Sequence, residues 1–114
     1  MSNTTLINLN AHAINIQING QEIILAPSGT IARVSTKSVQ VNTLTVNGIE
    51  IPVFKTVYGE IENLPEPQDG IVYIASTLLA QLANRSDVVS PDTFNGVIRN
   101  EKGQVAAVTR LQSF

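Results

Sequence analysis

The stretch Leu64–Pro91, LPEPQDGIVYIASTLLAQLANRSDVVSP, constrains the fold more than any other, because it alone combines a rigid turn, an apolar strand and a helix. Pro65 and Pro67 stiffen the approach by fixing φ at about −65°, and Asp69-Gly70 supplies turn chemistry with a residue free to take positive φ. Ile71-Val72-Tyr73-Ile74-Ala75 is a near-continuous apolar run, the pattern of a strand covered on both faces. Ser76 or Thr77 is placed to cap a helix. Leu78, Leu79 and Leu82 share one stripe, with Gln81, Asn84 and Arg85 opposite, which predicts an amphipathic helix of about two turns and no other helix in the chain.

The remainder reads as strands and turns. Ile14, Ile16 and Ile18 alternate along one face, Asn19-Gly20 favours a type I′ turn, and Glu22-Ile23-Ile24-Leu25 returns, so residues 13–26 form a hairpin. Pro27-Ser28-Gly29 redirects the chain. Ile31–Ser35 and Ser38–Val41 are expected as strands on either side of a polar break at Thr36-Lys37. Asn47-Gly48 marks a second hairpin, between Leu44-Thr45-Val46 and a strand that Phe54–Tyr58 extends and Gly59 closes. Pro52 cannot donate to a ladder, which places that strand at an edge or marks a bulge. Ser86–Pro91 is a short extended piece, residues 92–96 a loop, and Val97–Arg99 with Gln104–Leu111 a final hairpin. The expectation is a single domain over 1–114. Its class is mainly β, a small antiparallel sheet or partly open barrel with one short helix.

Composition narrows the function classes. At 114 residues the chain suffices for one domain, and 43% hydrophobic against 14% charged residues suits a packed core rather than a disordered tail. Cys is absent, which removes disulfides, thiol nucleophiles and thiolate metal sites. A net charge of −2 with a pI near 5.2 argues against general nucleic-acid binding, which needs a basic stripe. MSNTTLINLN has no basic segment leading a long apolar run, and no stretch approaches the roughly 20 apolar residues that span a bilayer, so cytoplasmic residence without membrane contact is expected.

Several segments together carry a resemblance: AHAINI, PSGTIARV, YGEIENLPEPQDGIVYIAS, RSDVVSPDT and RNEKGQV. In order and spacing the chain resembles a widespread family of short, largely uncharacterised proteins encoded by bacteria and phages. Asn10-Ala11 stands where Thr-Pro is expected before His12, and Pro91-Asp92 where Pro-Gly is more usual. The resemblance implies a small stand-alone domain in a phage or prophage setting, and it brings no catalytic residues.

Few residues offer chemistry. His12 is the one histidine, too few for a multi-His metal site, and reads as a loop residue. Glu60, Glu62 and Glu66 surround a Pro-rich turn, where a solvated face outweighs acid–base work. Arg33 and Arg99 lie inside predicted strands, where a long cation is unusual unless it is paired or faces a ligand, and the Arg fork matches carboxylates and phosphates. Arg85 is followed by Asp87, which offers the plainer alternative of an internal salt bridge. Ser28 and Gly29, in Pro27-Ser28-Gly29-Thr30, form a turn able to aim N–H groups at an anion, without a Walker lysine.

The resulting expectation is a non-enzymatic binding protein of phage or mobile-element type, needing no cofactor or metal. Its ligand is a small anion held near Arg33, Arg85, Asp87, Arg99, Ser28 and Gly29. A concrete version is sequestration of a nucleotide messenger of bacterial immunity in the host cytoplasm. The alternative is a structural or protein-interaction module with internally paired arginines. A homo-oligomer is expected from the unprotected edge of the 13–26 hairpin, which carries Gln17, Gln21 and Glu22 but no Lys.

Overall fold

The computed structural model describes residues 4–114; Met1–Asn3, the start of the segment read for a leader, lie outside them. The described residues form β1 (Thr5–Asn8), β2 (Ile14–Ile18), β3 (Gln21–Leu25), β4 (Arg33–Val46), β5 (Ile49–Glu62), β6 (Ile71–Ile74), α1 (Thr77–Ala83), β7 (Val88–Pro91), β8 (Val97–Arg99), β9 (Val105–Val108) and β10 (Leu111–Gln112). The mainly β character with one short helix matches the expectation, but the strands form separate small sheets rather than one antiparallel sheet or a barrel, and several of them pair in parallel.

One sheet has the order β1-β6-β7-β10, and its first three strands run parallel. Strict alternation does not distinguish parallel from antiparallel partners, but the apolar run of β6 does carry the parallel signature, since such strands are covered on both faces. Tyr73 and Ile74 are fully buried. The crossover from β6 to β7 is α1, as parallel neighbours require. The second sheet, β3-β2-β9-β8, joins the 13–26 hairpin to the C-terminal one. The latter ends sooner than expected: β9 stops at Val108, and β10 returns to the first sheet to pair with β7.

The two sheets share one core, in which Ile14, Ile16 and Val108 of the second meet Ile74 of the first. On the other face of β6, Ala75 and Val88 pack against Leu79 and Ala80, flanked by Ala32, Ile61 and Leu64. Ser76 caps α1, accepting from the Leu79 N–H, and Asn84 ends it in the left-handed region. The buried stripe differs from the one expected. With the helix beginning at Thr77, Leu79, Ala80 and Ala83 face the sheet, while Leu78 and Leu82 are each 38% exposed.

The polar pair Thr36-Lys37 does not interrupt the chain, and Gly59 does not end it. β4 and β5 are each 14 residues long and pair as one continuous ribbon around Asn47-Gly48, whose φ values of 53° and 77° fit a type I′ turn. With water on both sides, a polar pair costs such a strand nothing. Register shifts fall between Val34 and Thr36 and between Gln40 and Asn42. At the first of them Gly59 lies against Ser35, whose Oγ occupies the space a Cβ would need. Pro52, opposite Thr43, is tolerated because both strands of a two-stranded ribbon are edges. This arm draws the molecule out to 63 × 39 × 23 Å, and the Cα radius of gyration is 18.1 Å. A compact domain of this length would have about 13 Å.

Candidate ligand-binding site

The arm leaves the body at an open cleft of about 400 Å³, lined by Gly29, Thr30, Ile31, Arg33, Glu62 and Asn63. Its floor follows from local chemistry. Ser28 Oγ accepts from the Thr30 N–H at 3.4 Å and donates to the Thr30 carbonyl at 3.3 Å, which tightens the turn, while Gly29 adopts φ 96°. On the returning strand Asn63 takes φ 65° and donates through Nδ2 to the Ile31 carbonyl at 3.2 Å, stapling the two ends of the arm. Arg33 and Glu62 are register partners across the ribbon. Among the described residues, the ion pairs are Arg85–Asp87 and Arg110–Asp92, so the Arg33 guanidinium and the Glu62 carboxylate both remain open to solvent.

Two of the sequence-derived candidates therefore meet, Gly29 and Arg33, while Ser28 shapes the turn without lining the cleft. The others do not line this cleft. Arg85 donates through Nε to Asp87 Oδ1 at 2.9 Å, through Nη2 to Oδ2 at 2.6 Å and through Nη1 to the Pro65 carbonyl at 3.0 Å. Its hydrogen bond to Asp87 raises the guanidinium pKa, and the same contact lowers that of the carboxyl. This is the geometry of an internal lock, tying the exit of α1 to the Pro-rich loop. Arg99 stands on β8 of the second sheet and donates to the Gly103 carbonyl at 2.8 Å, closing its own hairpin. His12 is exposed, and its main-chain carbonyl, rather than its ring, is engaged, accepting from Asn8 Nδ2.

Sequence reasoning missed Asp92 with Arg110. Asp92 Oδ1 accepts from the Phe94 and Asn95 N–H groups, Oδ2 accepts from Arg110 Nε at 2.7 Å, and these bonds, foremost that from Asn95 and then that from Arg110, hold the carboxyl below its ordinary pKa. The Asp-led turn was a readable signal. Its partner 18 residues away was not. Glu62 reads in the sequence only as one of the acids around the Pro-rich turn, and nothing in the sequence marks Asn63.

Removing Asp87 leaves the half-buried Arg85 with the Pro65 carbonyl alone. Asp87→Ala is therefore expected to cost about 2 kcal/mol, and Arg85→Ala about half of that. Because the Asp87 pKa is lowered in the folded state, its contribution is complete above the unfolded value of about 3.9 and is lost as pH falls through the lowered one. Thermal melts of wild type and Asp87→Asn between neutral and acid pH check this: the two curves should converge at the acid end.

A scan of protein-family models, a search of curated proteins and a search of solved structures each gave no match to this chain.

Proposed function

We propose that this protein is a non-enzymatic binding module that holds a small anionic ligand of the nucleotide class in the cleft at the base of the arm. The observation that carries the reading is the meeting of Arg33, outside the ion pairs of the described residues, with Gly29 and Thr30 in one open cleft. Arg33 offers a planar fork to a phosphate. Glu62 accepts from vicinal hydroxyls of a ribose, as acidic residues do in dinucleotide sites. Asn63 anchors the cleft wall through its amide. A cleft with one cation and one anion suits a ligand with both a phosphate and a sugar better than a bare inorganic ion. Sequestration of a nucleotide messenger, in a phage-encoded protein acting in the host cytoplasm, is the version that the resemblance to bacterial and phage proteins favours.

Titration calorimetry with cyclic dinucleotides and ADP-ribose-derived nucleotides tests it. A binding nucleotide should lose roughly 10- to 100-fold in affinity in Arg33→Ala, the loss of one charge-assisted contact, with little change in melting temperature because Arg33 is exposed. Absence of heat with every nucleotide class, or equal affinity in Arg33→Ala, removes the reading.

A further inference from the structure

We propose that one face of the β4–β5 arm is a self-association surface, on which the arms of two copies pack face to face and antiparallel. The register places Val39, Leu44 and Val46 on the same face as Ile49, Ile51 and Val57. These six side chains are between 39% and 65% exposed. The opposite face is mixed: it carries Ser38, Thr43, Thr45, Glu50 and Thr56, interrupted by Phe54 and Tyr58, and has no comparable aliphatic run. A ribbon of two strands has no second layer of its own, and a two-stranded hairpin is at best marginally stable in water. An aliphatic face held on such a ribbon calls for an opposing sheet about 10 Å away.

Area and charge point to a second copy as that sheet. The exposed aliphatic surface is on the order of 500 Å², at the upper end of what a monomer displays. Two such faces, with the stems of Lys37 and Lys55 beside them, reach the roughly 1,200 Å² at which stable interfaces begin. Lys37 and Lys55 are the ionisable groups of that face, and both lie toward the body. An antiparallel twofold sets each pair over the aliphatic face of the partner's tip, residues 44–51, which carries no cation, Glu50 lying with Thr45 on the other face. Tip-beside-tip packing would bring four lysines together. The arrangement is isologous, so it closes as a dimer. It uses a surface other than the expected edge of the 13–26 hairpin, where β3 remains the outer strand. The inference is independent of the ligand reading.

Light scattering coupled to size exclusion tests it. Wild type should run at twice the 12.2 kDa chain mass. Leu44→Lys with Ile51→Lys should weaken association on the order of 100-fold, as loss of central apolar anchors does. Thr43→Lys with Thr45→Lys, on the other face, should leave the dimer intact. Should the double variant misfold, Asn42→Cys supplies the answer in a chain without cysteine. Asn42 lies on the aliphatic face near the middle of the arm, so mild oxidation should trap a covalent dimer, whereas Thr43→Cys should not. A wild type that is monomeric at every concentration, including one that instead sediments with lipid vesicles, overturns the proposal. So does a dimer that survives Leu44→Lys with Ile51→Lys.

Discussion

Tyr73→Ala is expected to remove about 4 kcal/mol of stability, a large part of the roughly 5–15 kcal/mol available to a domain. The side chain is fully buried on the helix-facing side of β6, and its hydroxyl donates to the Glu66 carbonyl at 3.1 Å. The Tyr73 main-chain N–H donates to the Asp87 carbonyl at 2.8 Å, in the ladder with β7. Truncation opens a cavity in the core and removes one tie of the Pro-rich loop, leaving Arg85 and the packing of Leu64 to hold it. Tyr73→Phe separates the two effects. It keeps the ring and loses one neutral hydrogen bond, for a cost of about 1 kcal/mol. Urea unfolding followed by circular dichroism gives both values. A Tyr73→Ala loss no greater than that of Tyr73→Phe would mean that the ring does not fill the core.

What could be read in the sequence was local, and what could not depended on distant partners. Asn19-Gly20 and Asn47-Gly48 placed both hairpin turns because type I′ geometry needs positive φ at two successive residues, and both pairs adopt it. Ser76 as a cap and β6 as a doubly covered strand were equally legible. The length of the arm was not, since a polar pair such as Thr36-Lys37 ends a strand only where one face is buried. A leucine stripe outweighs alanines on hydrophobicity and points Leu78 and Leu82 inward, yet Ala80 and Ala83 pack on the sheet beside Leu79. Part of the candidate cleft was legible in Gly29 and Arg33. Another part, Glu62 and Asn63, joins it only through the return of a ribbon whose register includes two shifts, and alternation does not reveal those.

Asn8 shows how the same distance dependence acts inside the core, and its replacement should have the second largest effect. Its side chain is 2% exposed at the end of β1, and every main-chain group it meets belongs to another segment or turn. Nδ2 donates to the His12 carbonyl at 2.8 Å and the Leu25 carbonyl at 3.1 Å, while Oδ1 accepts from the Asn10 N–H at 2.9 Å. The Asn8 carbonyl accepts from the Ser28 N–H at 3.0 Å, so the same residue fixes the entry to the turn that floors the cleft. Asn8→Leu keeps the volume but strands those two carbonyls and the Asn10 N–H away from water, at an expected cost of about 3 kcal/mol. Asn8→Ala should cost less, because the space it opens admits water to the stranded groups. Hydrogen exchange distinguishes this local account from a uniform loss of stability: in Asn8→Leu, the Asn10 amide, left without its acceptor, should exchange faster by a larger factor than the Tyr73 amide in the central ladder. Equal acceleration at both would show that Asn8 contributes only to global stability. Selective acceleration would identify its side chain as the tie that holds the turn after β1 to the body.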